Sequence, residues 1–215
     1  MKSVFNQRPT LPKTAVTWEV DKVLAYLKSL SPVRFISVKL LTWKLTMLLL
    51  LLAGQRGQSI ALLDVRNMTL TYSKATFRIG DLVKQTRPGK HVKELAYKAY
   101  APDRRLCILT VLKEYLKRTL IVRGSTKALL LTYGKPVHAA SRGSISRWTK
   151  MVLSEAGIDM TMFTPHSTRS TSKAATKLKL STILATAGWS RESTFRKYYQ
   201  KPVDVKFDFA NAVLQ

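Results

Sequence analysis

The stretch from Thr164 to Tyr199 concentrates side chains that could act on a phosphate group. Thr164 is a favoured helix N-cap residue, and Pro165 is favoured at the first helical position. A helix that begins at Pro165 would place His166 and Arg169 on one face of its first turn. Backbone N–H groups and the helix dipole attract an anion at that end. The pattern therefore predicts a phosphate-binding pocket.

The same stretch continues with a tryptophan and a tandem pair of tyrosines. Gly188-Trp189 interrupts the helical pattern, and Ser190 can cap a new helix. That second helix would end in Tyr198-Tyr199 and would carry two phenol groups.

Arg56 stands between two glycines directly after the most apolar run of the chain, in Gly54-Gln55-Arg56-Gly57. One interpretation is a helix C-cap, in which glycine ends the helix and a basic side chain lies near the negative end of its dipole. The other is a binding site, because an arginine buried beside an apolar core is costly without an anionic partner. The local residues leave both interpretations open.

A β-hairpin is predicted further along the chain. Three segments have the composition of strands: Met68–Tyr72, Thr76–Lys84 and Val92–Ala99. The turn Thr86-Arg87-Pro88-Gly89 joins the last two. Lys84 precedes this turn and Lys90 follows it. In an ordinary hairpin, lysines beside the turn are solvated surface charges.

Apolar residues at helical spacing predict the helices that must position these groups. They cover Thr17–Leu30, Ile36–Ala53, Arg104–Thr119 and Ser144–Ala156. Thr17 is the predicted N-cap of the first helix, and Ser31-Pro32 ends it. The second becomes apolar on all sides in Leu45–Ala53, which is typical of a buried core helix; this run is about half the ~20 residues of a membrane span. His138 falls in a loop and is predicted to be a surface residue without partners.

The composition indicates a folded domain that faces a polyanion. The chain has 215 residues, 37 Lys and Arg against 12 Asp and Glu, a formal net charge of +25 and 46% hydrophobic residues. Nucleic acid is the first candidate partner, and an anionic membrane surface is the second. The single Cys107 excludes an internal disulfide, and three scattered histidines do not suggest a zinc site. Met1–Leu30 has no early apolar segment, so no secretory signal is expected.

The unusual residues, taken in order, resemble the signature of the tyrosine recombinase (phage-integrase-like) catalytic domain. That signature runs Arg, Lys, His-x-x-Arg, His or Trp, and Tyr, and the matching residues are Arg56, Lys84, His166, Arg169, Trp189 and Tyr198 or Tyr199. The local sequences LLAGQRGQSI, PHSTRSTSKA and AGWSRESTFRKYYQKP resemble the recombinases of eukaryotic DIRS-like mobile elements. The resemblance covers about Thr17 to Pro202, and it implies a mostly α fold with a small antiparallel β-sheet.

The resemblance implies a role for each matching phosphate ligand. Arg56 and Arg169 match the two arginines that clamp the scissile phosphate, and bidentate donors suit a transition state that gains negative charge. His166 matches the histidine that hydrogen-bonds the phosphate or assists proton transfer. Trp189 occupies the position of a second histidine in many members. Its indole N–H can donate to the phosphate but cannot act as a base, and packing alone is the other interpretation.

The lysine and the nucleophile each have two candidates. Lys84 best matches the hairpin lysine that protonates the departing 5′ oxygen, and Lys90 is the alternative because strand register is hard to infer from sequence. Counting nine positions from Trp189 gives Tyr198 as the nucleophile. The DIRS-like pattern, with an aromatic pair before x-x-Pro, favours Tyr199, which we choose.

The implied reaction is attack of a tyrosine on a DNA phosphodiester, which yields a 3′-phosphotyrosyl link and a free 5′-hydroxyl. A 5′-hydroxyl of a partner duplex then reverses the step, without a metal or a nucleotide cofactor. The implied partners are double-stranded DNA and other protomers in a tetrameric synapse, and the implied location is the nucleus. The alternatives are a truncated or domesticated DNA-binding remnant without catalysis, and a basic RNA- or ribosome-associated protein with a coincidental motif.

Two features depart from the family pattern. Ser59 stands where most members have an acidic residue three positions after the first arginine, which removes the expected partner of Arg56. Residues 1–16 are interpreted as the remnant of a basic linker, where members carry a helical DNA-clamping domain. Residues 17–202 are then the catalytic domain. Residues 203–215, with Phe207 and Phe209, form a tail that either docks on a neighbouring protomer or folds back on its own domain.

Overall fold

The computed structural model describes residues 17–80, 94–168 and Thr171. Its α-helices are α1 (Val20–Ser29), α2 (Val38–Ala53), α3 (Gly57–Ala61), α4 (Ile108–Arg123) and α5 (Arg142–Glu155). Its strands are β1 (Met68–Leu70), β2 (Lys74–Phe77) and β3 (Leu95–Lys98), and 3₁₀ turns cover Val65–Asn67, Arg104–Leu106 and Pro165–Ser167. The predicted fold class, mostly α with a small antiparallel sheet, is confirmed.

Helix α2 is the centre of the core, as its apolar composition predicts. It begins where the Ser37 hydroxyl accepts a hydrogen bond from the Leu40 N–H, and it ends at Gly54, whose φ of 56° is left-handed. Nearly every side chain from Leu41 to Ala53 is buried, because α3, α4, α5 and β3 all pack against this helix. In the described ranges, no helix is long and apolar enough to cross a membrane.

The first helix begins later than predicted. Thr17 is not its N-cap: α1 starts at Val20 with Glu19 at the cap position, and Thr17 and Trp18 are buried ahead of it. The backbone of Glu19 is extended (φ −72°, ψ 116°), so the helix begins only after these two buried residues. The apolar face is otherwise as predicted, with Val23 and Leu27 fully buried.

Lys44 lies inside α2 with no exposed surface. Its Nζ donates to the Leu30 carbonyl at 2.7 Å and to the Ser31 hydroxyl at 2.9 Å, and so satisfies a carbonyl at the end of α1. Burial lowers the pKa of Lys44 to about 8, against an opposing effect of the Asp103 carboxylate. A lysine therefore links two helices inside the core.

Replacing Lys44 by methionine is expected to change how stability depends on pH. Because the folded pKa lies below the unfolded one, the unfolded chain binds more protons between about pH 8 and pH 10.5. The free energy of unfolding of the wild type therefore gains about 2 kcal/mol from this group between pH 8 and pH 9.5. Urea unfolding at these two pH values should show that gain in the wild type and not in Lys44→Met. Parallel profiles would contradict it.

The sheet has the order β1–β2–β3 and is antiparallel throughout. The predicted pairing of the second and third strands is confirmed, although both strands are shorter than predicted, and the turn 86–89 lies outside the described residues. Phe77 and Tyr97 meet edge to face on the buried side, with ring centroids 6.1 Å apart. The Tyr97 hydroxyl donates to the Leu49 carbonyl at 3.1 Å, which fixes the sheet to α2.

Helix α4 is shifted by about one turn from its predicted position. The Asp103 carboxylate accepts from the Arg105 N–H at 3.0 Å and closes the 3₁₀ turn Arg104–Leu106, so the α-helix starts only at Ile108. It continues past Thr119 to Arg123 and ends at Gly124, with φ of 51°. Helix α5 is close to its predicted bounds, and the Ser141 hydroxyl caps it by accepting from the Ser144 N–H at 3.1 Å.

Candidate active site

Two of the predicted site residues lie in the described part of the chain, Arg56 and His166. The others lie outside it: Lys84, Lys90, Arg169, Trp189, Tyr198 and Tyr199. Their predicted roles stay predictions, and the geometry of the site rests on the elements that carry Arg56 and His166.

Arg56 lies between the end of α2 and the start of α3. The left-handed turn at Gly54 redirects the chain, and Arg56 then occupies the N-cap position of α3 with extended backbone (φ −81°, ψ 149°). Its carbonyl accepts from the Ile60 N–H at 3.2 Å. Glycine thus ends α2, as the C-cap interpretation requires, but Arg56 belongs to the helix that follows.

The Arg56 side chain is half-buried and forms no ion pair with any acidic residue that the structure describes. Ser59, at the position where an acidic partner was expected, is buried in α3 and has no charge to offer. A guanidinium that is partly removed from water without an anion retains its capacity to bind one. This observation favours the binding-site interpretation of Arg56.

His166 lies in the 3₁₀ turn Pro165–Ser167, and its side chain is exposed. Proline begins the turn as predicted, but Thr164 provides no side-chain cap, and the Ser167 N–H bonds to the Thr164 carbonyl at 2.9 Å in the i, i+3 pattern of a 3₁₀ helix. The Ser167 hydroxyl donates to the same carbonyl at 2.6 Å. These two bonds hold the backbone beside His166.

Trp18 fixes this turn from the other end of the chain. Its indole Nε1 donates to the Ser167 hydroxyl at 2.9 Å, and its side chain is 1% exposed. Sequence patterns do not reveal this role, because periodicity indicates which face of an element is buried but not which distant residue that face contacts. The sequence places Trp18 inside the predicted first helix, where no local signal indicates a contact with Ser167.

Helix α5 supports both residues. Helix α3, which follows Arg56, and the turn that carries His166 each pack against α5. Gly57 lies close to this helix, since a Cβ built on it would be 3.5 Å from the Ile145 Cγ2. The structure therefore attaches two residues from distant parts of the sequence to one rigid support.

Aromatic packing anchors α5 in turn. The rings of Tyr133 and Trp148 lie 5.5 Å apart, and the Trp43 Nε1 donates to the Tyr133 hydroxyl at 3.2 Å. Trp43 belongs to α2 and Trp148 to α5, so this cluster connects the core helix with the helix that supports the candidate site.

His138 is exposed, as predicted, but the prediction that it lacks partners is wrong. Its Nδ1 lies 2.9 Å from the Pro136 carbonyl, and its backbone N–H donates to the Thr132 hydroxyl at 3.0 Å. These contacts organise the loop before α5, and sequence spacing alone does not show such a local turn.

The structure is similar to solved recombinases over nearly its whole length. XerA recombinase matches with a TM-score of 0.64 and 16% identity, over 97% of this chain and 67% of that one. The XerH site-specific recombinase bound to its difH substrate matches with a TM-score of 0.61 and 17% identity, over 96% of this chain and 56% of that one. The chain has the tyrosine recombinase fold. The predicted resemblance is confirmed at the level of the fold, and the finer likeness to DIRS-like elements stays a prediction.

A lambda integrase tetramer bound to a Holliday junction also has this fold, with a TM-score of 0.54 and 15% identity over 90% of this chain. The chain spans about half the length of the XerH and lambda integrase chains. No protein-family model matches the chain, and no curated protein matches it. At these identities, the tyrosine recombinase fold is what the chain shares with these proteins.

Proposed function

We propose that this chain is the catalytic domain of a tyrosine recombinase that breaks and rejoins DNA through a 3′-phosphotyrosyl intermediate. The proposal rests on Arg56, which is half-buried and has no acidic partner among the described residues. The helix that follows Arg56 and the turn that carries His166 pack against the same helix, α5. The fold and the order of the remaining signature residues along a chain of charge +25 support it.

In this proposal Arg56 and Arg169 bind the non-bridging oxygens of the scissile phosphate. Their charges offset the negative charge that builds up as the phosphorus becomes five-coordinate. His166 hydrogen-bonds the phosphate or takes the tyrosine proton, and Trp189 donates its indole N–H to a phosphate oxygen.

Tyr199 is the proposed nucleophile. Its oxygen forms a bond to phosphorus, the bond from phosphorus to the 5′ oxygen breaks, and Lys84 supplies the proton that makes the departing group a 5′-hydroxyl. Rejoining is the reverse, with a 5′-hydroxyl of the partner duplex as the attacking group and the tyrosine as the leaving group. Lys90 is the alternative proton donor.

The proposed partners are double-stranded DNA and further protomers of the same kind. Among structures of this fold, XerH is bound to its difH substrate and a lambda integrase tetramer is bound to a Holliday junction. A tetrameric synapse, an origin in a DIRS-like mobile element and a location in the nucleus are proposals that follow from the sequence resemblance.

The test is covalent trapping on a nicked suicide duplex, from which the cleaved strand diffuses away and prevents religation. Wild type is expected to form a protein–DNA adduct that survives denaturing gel electrophoresis. Arg56→Ala should lower the rate of adduct formation by about 10²- to 10³-fold, the effect of losing one donor to a developing oxyanion. Arg56→Lys should fall in between, because a lysine keeps the charge but not the bidentate fork.

Arg66→Ala is the matched control, since Arg66 is exposed and already paired with Asp64 at 2.6 Å. It should trap DNA at the wild-type rate. If Arg56→Ala and Arg66→Ala trap equally well, Arg56 does not bind the phosphate. If wild type binds the duplex and never forms an adduct, the alternative of a non-catalytic DNA-binding remnant replaces this proposal.

A further inference from the structure

A group of exposed residues lies around the end of the sheet where β2 begins and β3 ends. It consists of Tyr72 in the β1–β2 turn, the paired Lys74 and Lys98 on neighbouring strands, and Lys113 on α4, whose ammonium group lies near the Tyr72 ring. We call it the sheet-end patch. Lys74 and Lys98 form the strand pair at which β2 begins and β3 ends.

The register of the sheet places two like charges against each other. Lys74 is directly opposite Lys98 in the antiparallel pair, and both side chains are exposed. Such a pair costs stability, because the Cβ atoms of opposite residues are only about 4.5–5.5 Å apart. The ion pairs of the described chain include neither lysine, so neither ammonium group is paired with a described carboxylate.

An exposed aromatic ring extends this surface. The Tyr72 side chain is 91% exposed, and the Lys113 Nζ lies 5.8 Å from its ring centroid. Lys113 also forms no ion pair in the part of the chain that the structure describes. The exposed Lys117 follows four residues later on the same side of α4 and continues the row of charges.

Hydrogen bonds fix the backbone of the turn that carries Tyr72. The turn that carries Tyr72 is closed by the Thr71 N–H, which donates to the Lys74 carbonyl at 2.8 Å, and by the Lys74 N–H, which donates to the Thr71 hydroxyl at 3.1 Å. The Ala99 N–H donates to the Ser73 carbonyl at 2.8 Å and continues the pairing of the strands. A rigid turn presents a side chain at little entropic cost on binding.

From these observations we propose that the sheet-end patch binds the phosphate backbone of double-stranded DNA, through residues other than those of the candidate active site. Lysine ammonium groups are compact charges that bind phosphate oxygens as point charges. The Tyr72 hydroxyl adds a hydrogen-bond donor to the same backbone. Binding a polyanion also relieves the repulsion between Lys74 and Lys98, which the free protein carries at a cost. This inference rests on DNA as the substrate in the proposed function.

The first test uses an unnicked duplex and the full chain, so it requires no covalent step. Fluorescence anisotropy gives the dissociation constant at several salt concentrations for wild type and for the triple variant Lys74→Gln/Lys98→Gln/Lys113→Gln. The slope of log K against log salt should fall in magnitude by about 2 to 3, since each phosphate contact contributes about 0.9. Tyr72→Phe should weaken binding by about 2- to 10-fold and leave the slope unchanged.

The matched control is Lys22→Gln/Lys28→Gln/Lys127→Gln, which removes the same charge from lysines that each have an acid nearby, Glu19, Asp103 and Asp64 respectively. Its slope should change by less than about 1. An equal change in both triple variants would overturn the proposal, because only total charge would then matter. An unchanged slope in the patch variant would overturn it as well.

A stability measurement provides a second readout. Lys98→Glu places opposite charges across the strands, so the melting temperature should rise by up to about 3 °C while DNA affinity falls. A lower melting temperature together with unchanged affinity would contradict the proposal. Vesicles of phosphatidylserine and phosphatidylcholine test the other polyanion: if the patch variant loses vesicle binding but keeps duplex binding, the patch is a membrane contact and the proposal fails.

Failure of the patch and failure of the proposed function give different results. If wild type forms no covalent adduct but its salt slope is steeper than that of the triple patch variant, catalysis is refuted and the DNA-binding patch stands. If the triple patch variant still forms adducts and binds the duplex with unchanged affinity and salt slope, the patch is refuted and catalysis stands.

Discussion

Tyr199→Phe is expected to abolish the covalent protein–DNA adduct on a nicked suicide duplex. Removing the hydroxyl removes the only atom of that side chain that can form a bond to phosphorus. Duplex affinity should remain within a fewfold of the wild-type value, because one neutral hydrogen bond contributes about 0.5–1.5 kcal/mol. Denaturing gels report the adduct, and anisotropy with an unnicked duplex reports the affinity.

Tyr198→Phe is the matched control, since it makes the same chemical change one residue away. It should form the adduct at a rate close to that of the wild type. If instead Tyr199→Phe forms the adduct and Tyr198→Phe does not, the nucleophile is Tyr198, as the spacing from Trp189 suggests. If both single variants form it, neither hydroxyl is required and the proposed chemistry is wrong.

Trp18→Ala is expected to cause the largest loss of stability among the substitutions considered. The side chain is 1% exposed within the main core cluster, and truncation of a buried tryptophan costs about 3–5 kcal/mol. That is a large part of the 5–15 kcal/mol that holds a typical domain folded. The free energy of unfolding in urea measures the loss.

Trp18→Phe separates packing from positioning. It keeps an aromatic ring in the core but removes the 2.9 Å hydrogen bond to the Ser167 hydroxyl, next to His166. The rate of adduct formation should therefore fall by more than the decrease in the folded fraction of the protein accounts for. Leu112→Ala serves as the core control, because Leu112 is 1% exposed on α4; below its unfolding midpoint it should react at the wild-type rate. Equal rates for Trp18→Phe and Leu112→Ala would falsify the positioning role.

Composition and local order determine much of what this protein is. The run Leu45–Ala53 is so uniformly apolar that only a buried helix accommodates it, and the structure places it at the centre of the core. Gly54 marks the end of that helix because a left-handed residue is cheapest as glycine. The signature residues also stand in an order that predicts the tyrosine recombinase fold before any contact is known.

Element boundaries follow less directly from the sequence, because local interactions compete with periodicity. Helix α4 starts at Ile108 because the Asp103 side chain stabilises a 3₁₀ turn ahead of it. Helix α1 starts at Val20, after the buried Trp18 and the extended backbone of Glu19. In both places a hydrogen bond or a buried ring outweighs the weak preference of one or two residues for helix.

Tertiary structure alone decides which distant residues meet. The sequence by itself determines that Arg56 follows the core helix and that His166 follows Pro165; packing determines that both are attached to α5. It likewise decides that Trp18 bonds to Ser167, that Lys44 satisfies the Leu30 carbonyl, and that Lys74 faces Lys98. The physical reason is that periodicity encodes which face of an element is buried, whereas the partner of that face depends on how all the elements fill the core together.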